Sequence, residues 1–565
     1  MSGKVLEDVK KATHYGDYKS IADIVSNALK QGADPMDVMQ ALSEGIISVS
    51  GEYKTKGMYL DNIVLAAAAF EVGMAQITPI FEKEREKKEP LGKIVLGVVE
   101  GPWTIGKSIV AANLRAHGFE VIDAGSDVPP EKIAETTVES GANLVALGIY
   151  LTHAAPELAK LDEELWKLGV RHKVRTILSG PASSPQLAKK LGMDAYARDV
   201  KDLVAKAKEF AAELREELTP LERMMVSLRH KEPDRVPVVP FAQTFSAKFA
   251  GIPFSVYVSK GYAMAEGQIK AYEAFGWDAV CMSSDVAIYA EACGAKAEYP
   301  HDDVPRIVKP ALNVWSMYDD FKKLDMPDPW KSGRLTESLK AIEIAKKELG
   351  PDVPVIGWIE GPFQGVALLA GGDPMTLFYV KDHPDEFREI LDWYADWNVE
   401  VARAMYEAGA DLIGAGEAAA YWMSPQFFEE FALQAEKKSC QGINKVGLPV
   451  LIHCCGYVPQ CIHFIKETNP GGAIQFDYQV DLAWAKKLIG DTVTIMGNLN
   501  YNKLVNATPD EMYAACADAI RTAGSGGGYW LAFGCEIPRE MPYKNIQAMV
   551  RAAKSVGKYP IQSTS

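Results

Sequence analysis

Apolar positions recur every three to four residues through residues 1–88. Beyond them the spacing changes to short apolar runs separated by helical stretches. The first periodicity predicts helices and the second predicts strands alternating with helices. "LEDVKKATHYGDYKSIADIVSNALKQG" carries helical spacing and breaks at glycine. "DPMDVMQALSEGIISVSGEYKTKG" follows, with Asp34 as N-cap and Pro35 at the first helical position. "MYLDNIVLAAAAFEVGMAQITPIFEKE" is the longest apolar helix. Residues 1–88 therefore predict a small helical bundle, and the charged run at residues 82–90 reads as a helix end and a solvated linker.

Residues 89–212 alternate strand and helix. "KIVLGVVEG", "FEVIDAG", "ANLVALGIY" and "VRTILSG" are short apolar runs, each followed by an amphipathic stretch. This order predicts a doubly wound, Rossmann-like parallel sheet with helices on both faces. Such sheets bind ligands beyond the carboxyl ends of their strands, which points to the loops after Gly101 and Gly148 and around Gly180. Residues 213–565 contain eight further runs: "RVPVV", "AVCMSS", "VPVIGWIEG", "DLIGAG", "LPVLIHCCG", "AIQFDY", "VTIMGN" and "YWLAFGC". Their number and spacing predict a (β/α)8 barrel, whose active site lies at the carboxyl ends of the strands. His453, Cys455, Cys535, Glu360, Glu417, Asp477 and Asn498 all fall at such ends. Trp358, Phe363, Tyr421 and Trp422 lie near them and read as barrel packing.

Composition narrows the function. The 565 residues carry a net charge of −15, which argues against nucleic acid and against an anionic membrane surface. The eight cysteines are too sparse for a disulfide framework and fit a reducing, cytoplasmic setting. The start lacks the apolar core of a signal peptide, and no unbroken run of 18 apolar residues predicts a membrane helix.

The chemistry concentrates in "LIHCCGYV" and "LAFGCEIP". One imidazole, His453, and two thiolates, Cys455 and Cys535, would fill three corners of a tetrahedral zinc site and leave the fourth for substrate. The alternative is two unrelated strand ends with ordinary buried thiols.

The two halves resemble two known families. Through "GKIVLGVVEG", "GKSIVAANLRAHGFEVIDAGSDVPPEKI" and "PEL", the first 212 residues resemble the corrinoid proteins of methyltransferase systems, a helical cap followed by a cobalamin-binding domain. That resemblance implies a corrinoid contacted by Trp103, Thr104, Gly106, Lys107, Gly148, Tyr150, Thr152, Ser179 and Gly180. The family places Asp-x-His-x-x-Gly before the first helix, and its histidine ligates cobalt from below. Here the segment reads "EGPWTIGK", one residue short, with Trp103 near the expected histidine. Gly148-Ile149-Tyr150 stands where the family has Ser-x-Leu against the nucleotide tail, and Ser179-Gly180 where it has Gly-Gly. Either the domain binds a corrinoid with water, nothing or the cofactor's own base below cobalt, or it is a scaffold that no longer binds one. His153, beside the same edge, reads as a surface histidine.

Through "EPDRVPVVPF", "SSDVAIYAEACGA", "IEGPF", "HCCG", "IMGNLN" and "FGCEIPREMPYKNIQAMV", the last 350 or so residues resemble the uroporphyrinogen decarboxylase superfamily, in particular its zinc methyltransferases. The family's His-x-Cys and late Cys map onto His453, Cys455 and Cys535, leaving Cys454 as a packing thiol. A carboxylate near the metal is expected at Asp477. The decarboxylases carry an arginine-rich segment after the first strand; here it reads "FAQTFSAKFAG", which disfavours decarboxylation.

The leading expectation is a corrinoid-linked, zinc-dependent methyltransferase with carrier and catalyst in one chain. It would act on a small methylated molecule or a thiol acceptor such as coenzyme M. A second methyltransferase, a reductive activase and a homodimeric partner are further expectations. A zinc methyltransferase served by a separate corrinoid protein, and a cobalamin-binding or sensing protein without catalysis, remain as alternatives.

Overall fold

Local sequence explains the first helices. Helices α1 (Ser2–His14), α2 (Ile21–Lys30), α3 (Pro35–Glu52) and α4 (Leu60–Arg85) form a bundle. The computed structural model describes residues 2–52, 59–85, 90–101, 104–372, 374–456 and 458–561. The first helical run divides into α1 and α2 at Gly16, whose φ is +67°. A Cβ there would lie 2.5 Å from the Leu65 side chain, so only glycine makes this turn. Before α3, the Asp34 carboxylate accepts from the Met36 amide at 2.7 Å. By length and composition, Leu60–Phe81 of α4 could cross a membrane, a property that no unbroken apolar run announces. Here its Ala66, Ala69, Phe70, Met74 and Ile77 are buried in the bundle core.

The chain divides into two compact units, Met1–Glu216 and Glu217–Ser565. In the first, the bundle core continues onto Ile109 of α5 (Thr104–Ala116). The sheet behind α5 contains β1 (Lys93–Val98), β2 (Glu120–Ser126), β3 (Leu144–Gly148), β4 (Arg175–Ser179) and β5 (Ala195–Tyr196). All pairings are parallel, in the order β2-β1-β3-β4-β5. Ile94, Leu96, Leu144, Ala146 and Ile177 face one helical layer; Val95, Val145, Leu147 and Leu178 face the other. Strand order reverses between β1 and β3, which places the ligand crevice between their exits. β5 has two residues, too few for a readable pattern.

The second unit is the barrel. Its strands begin with β6 (Val280–Met282); a two-stranded antiparallel ribbon, β7 (Lys296–Glu298) and β8 (Arg306–Lys309), follows. Then come β9 (Val355–Glu360), β10 (Leu412–Gly416), β11 (Val450–Cys454), β12 (Gly471–Phe476), β13 (Thr494–Leu499) and β14 (Tyr529–Phe533). Seven strands form one parallel sheet, β6-β9-β10-β11-β12-β13-β14. The expected eighth strand, "RVPVV", forms only bridges. Val239 N donates to Leu531 O at 3.0 Å, Leu531 N to Pro237 O at 2.8 Å, and Asp278 N to Val238 O at 2.7 Å. Pro237 and Pro240 have no amide to give, so pairing stops there although the segment closes the ring.

Inside the barrel, Val239, Cys281, Ile356, Trp358, Leu412, Leu451, Ala473, Met496, Trp530 and Ala532 pack together over Met224. Alternation along each strand then decides which later residues face the mouth. His453 and Cys455 are in phase with Leu451, Glu360 with Trp358, and Gln475 and Asp477 with Ala473. Cys454 is out of phase and lies buried in the outer apolar layer. Glu417 is out of phase with Leu412, and its carboxyl pairs with that of Glu436 on the helix outside.

Asp278 is fully buried at the closing seam. It accepts from Arg235 at 2.7 and 2.8 Å, from Arg223 at 2.7 Å and from the Val238 amide at 2.7 Å. Burial pushes its pKa up, but Arg235 and Arg223 outweigh burial and hold it below the usual carboxylate value. Asp278→Ala leaves two buried guanidinium groups short of a partner and is expected to cost about 3–5 kcal/mol, read from urea unfolding of the barrel. A depressed pKa stabilises above the unfolded value, roughly 3.9, and is lost as pH falls through the folded one. The gap between wild type and variant therefore narrows as the pH drops below that range.

Candidate functional site

The barrel delivers the metal-ligand candidates to one rim. His453 is the penultimate residue of β11, Cys455 follows that strand, and Cys535 lies two residues past β14. Their ligand atoms all lie within 4.8 Å of one another. His453 Nε2 is 2.5 Å from Cys455 Sγ and 3.8 Å from Cys535 Sγ, and the two sulfurs are 3.4 Å apart. Around a tetrahedral zinc, with bonds of 2.0–2.3 Å, such atoms stand roughly 3.5–3.8 Å apart. The 3.8 Å spacing falls in that range, the sulfur pair lies about 0.1 Å short of it, and His453 and Cys455 would open by about 1 Å to reach it. The donor set and the geometry fit the ion.

Electrostatics agree with that use. The Cys535 thiol is lowered to about 4, first by its hydrogen bond with Cys455 and then, against burial, by His453. Cys455 moves upward because it keeps the shared proton and is buried. His453 is raised: burial opposes its charge, and Cys535 outweighs burial.

The histidine is held from behind. Gln475 Nε2 donates to the Phe533 carbonyl at 2.9 Å, which turns its Oε1 toward His453 Nδ1 at 2.8 Å. Oε1 only accepts, so Nδ1 carries the proton and Nε2 keeps its lone pair for the site. Asp477 accepts from the Gly456 amide at 2.9 Å and from its neighbour Tyr478 N at 2.6 Å, with Tyr501 Oη at 3.4 Å. It braces the backbone just beyond Cys455 and stands outside the cluster of ligand atoms.

Neighbouring groups shape the mouth. Phe241 stacks on Trp358 at 4.4 Å, and both rings lie within 6 Å of the His453 ring. Trp358 Nε1 donates to Glu360 Oε1 at 3.3 Å, and burial pushes the Glu360 carboxyl up to about 8. Glu536, next to Cys535, accepts from Thr244 N and Oγ1 at 2.6 and 2.7 Å; burial raises it to about 7. Asn498 donates to the Asp477 and Val480 carbonyls. Phe363 is fully buried, Trp422 half-buried and Tyr421 exposed. Gln475, Phe241 and Glu536 escape a motif search. Their signal is strand phase for Gln475 and Phe241, and adjacency to Cys535 for Glu536.

The carboxyl edge of the first unit is more closed than the sequence suggests. Trp103 lies outside the described residues, as do the side chains of Thr104 and Thr152. Lys107 is turned to Asp123 on β2 and pairs with it. Ser179 Oγ bonds back to the Leu147 carbonyl at 3.2 Å. Gly180 has φ +106°, and a Cβ on it would meet Ile149 O at 2.4 Å. Gly106, Gly148 and Tyr150 do come together: a Cβ on Gly106 would lie 1.9 Å from the Tyr150 hydroxyl. His153 Nε2 meets Glu100 Oε1 at 2.8 Å on the surface. The glycines of this edge are therefore largely filled by the chain's own atoms.

Comparison with known proteins follows the same division. Residues 219–556 match the family described as Uroporphyrinogen decarboxylase (URO-D), and residues 92–207 match the B12 binding domain. The methylcobamide:CoM methyltransferase MtbA of Methanosarcina mazei is 31% identical over 350 residues, covering 60% of this chain and 98% of that protein. Trimethylamine corrinoid protein 1 of Methanosarcina acetivorans is 30% identical over 207 residues, covering 36% of this chain and 96% of that protein. A solved methyltransferase from Methanosarcina mazei shares the fold, with a TM-score of 0.54 and 24% identity over 60% of this chain and 99% of its own.

The Gln475 relay carries a direct expectation. Gln475→Ala keeps all three ligand candidates but frees the imidazole to rotate and change tautomer. Zinc affinity, measured by competition with a chromogenic chelator, is expected to fall about 10–100-fold.

Proposed function

The chain belongs to the uroporphyrinogen decarboxylase family through residues 219–556 and joins to it a B12-binding domain, and on that premise we propose that it is a corrinoid-linked, zinc-dependent methyltransferase. It moves a methyl group between a corrinoid carried on the first unit and a small thiol or methylated molecule at the barrel mouth. The relative MtbA takes a methylcobamide and CoM by its name, which supports a thiol as one partner here. The observation that carries the zinc reading is the convergence of His453 Nε2, Cys455 Sγ and Cys535 Sγ within 4.8 Å at the carboxyl rim.

Zinc in that position would supply Lewis acidity to a thiol or to the heteroatom of a methyl donor. A corrinoid held by the first unit would supply the cobalt that carries the methyl group. The chain's residues prepare both. His453 presents Nε2 because Gln475 holds its Nδ1 proton. Cys455 and Cys535 together would balance a dication, leaving the site near neutral and its hold on a bound thiolate moderate. Asp477 positions the loop after Cys455 through the Gly456 amide. Phe241 and Trp358 cover one side of His453 and keep water from it. Carrier and barrel share one chain, so they meet at an effective concentration of about millimolar for a short tether.

Decarboxylation of a polyacidic porphyrin finds no support at this mouth. Residues 241–251 include no arginine, and their one cation, Lys248, pairs with Glu540.

The test uses the full chain loaded with zinc. Methylcobalamin is mixed with 2-mercaptoethanesulfonate and other small thiols, and methyl loss is followed by visible absorbance. Cys535→Ala is expected to lower the rate by about 100-fold or more, the several kcal/mol of a Lewis acid. Its zinc content should fall from about one per chain to a small fraction. Unchanged zinc in that variant would remove Cys535 from the site.

A further inference from the structure

We propose that Tyr150 closes the crevice between β1 and β3 to the nucleotide tail of a corrinoid, so that this chain holds cobalamin on its sheet edge with the cofactor's own base still on cobalt. The inference rests on the reading of the first unit as a corrinoid carrier.

The crevice is where an open parallel sheet takes its ligand, because the chain leaves β1 toward one face and β3 toward the other. Here that space holds a side chain. Tyr150 follows β3 by two residues and folds back over the strand exits. Its hydroxyl occupies the place of a Gly106 Cβ, 1.9 Å away, in the first turn of α5. Its ring edge is 3.4 Å from where a Gly148 Cβ would be. One ring thus spans from the end of β3 to the start of α5.

The flanks are closed as well. Beside β4, the Gly180 backbone presses on Ile149, leaving no room for even a methyl group. Over the mouth, His153 from the loop after β3 joins Glu100 from the loop after β1. Burial raises the Tyr150 hydroxyl above its usual pKa, so the plug is neutral at any physiological pH. A benzimidazole nucleotide is larger than a tyrosine ring. It enters only if Tyr150 swings out and leaves Gly106 uncovered. The segment "EGPWTIGK" also offers no histidine to take the base's place on the metal. A tail kept outside and a base kept on cobalt are two consequences of one arrangement.

The experiment loads the full chain, under anaerobic conditions, with Co(II) cobalamin or with Co(II) cobinamide, which has no nucleotide base. Affinity is read by fluorescence quenching and ligation by electron paramagnetic resonance. A nitrogen on cobalt splits each cobalt line into three. In wild type, the two affinities should agree within about threefold. The cobalamin sample should show the triplets and the cobinamide sample should not. Tyr150→Ala should favour cobalamin by about tenfold or more and lose the triplets, as the tail enters. Gly106→Ala, which displaces the ring without removing it, should follow Tyr150→Ala and serves if that variant does not fold. Unsplit lines in wild-type cobalamin, a tenfold preference for cobalamin in wild type, or triplets with cobinamide (a protein nitrogen such as His153) would each overturn the proposal. Retention of neither corrinoid would instead bring down the carrier reading, and this inference with it.

Discussion

Gln475 ties three strands together across the barrel lumen. It sits on β12, gives its amide protons to the carbonyl of Phe533 on β14, and takes the Nδ1 proton of His453 on β11. A backbone carbonyl can only accept, so the orientation of the Gln475 amide follows, and from it the tautomer of His453. Everything at the rim inherits that choice. An imidazole with its proton on Nε2 would turn a donor toward the two sulfurs and could not bind a metal there. The same carbonyl lies two residues before Cys535, so the relay that orients the histidine also anchors the strand that brings the second thiolate.

The barrel around it was largely legible because parallel strands bury both faces and read as apolar runs. His453 and Cys455 could be placed at a strand end because two residues of spacing keep both on one face. What was hidden falls into two kinds. The first strand was overcalled: "RVPVV" has the apolar content of a strand, but its prolines remove the amides that a ladder needs. Gly16 is the reverse case, a residue inside an apolar helical run that turns the chain, because Leu65 packs where a side chain would be. The second kind is chemical. Gln475 in "AIQFDY" is an ordinary strand residue until the neighbouring strand places a histidine beside it. Phe241 belongs to a segment noticed only for lacking arginine. Strand phase turns both into the lumen, but the role of each comes from a contact made 22 or 212 residues away.

The two candidate surfaces treat their glycines in opposite ways. At the barrel mouth, Gly416 and Gly534 let other parts of the chain come close: Glu360 over the first, the Asp477 backbone over the second. Each brings a functional side chain nearer to the rim. At the carrier edge, Gly106 and Gly180 admit Tyr150 and Ile149, which fill the space instead of framing it. A glycine pattern read from sequence alone treats both as ligand approaches. The structure separates them by what stands in the place of the missing Cβ.

Charge follows the same economy at both surfaces. Two thiolates would cancel a zinc dication at the rim, and Asp123 neutralises Lys107 behind the carrier edge. Neither of these neutralised groups is a free charge with which to grip a ligand. A free carrier would need such a grip to find its enzyme, because association must overcome lost translational and rotational freedom. A carrier covalently joined to its barrel does not, since the tether sets the local concentration and contacts need only select the geometry. Moderate affinity is then an advantage: a ligand held loosely at the rim leaves after transfer, and a tethered carrier is at hand for the next one.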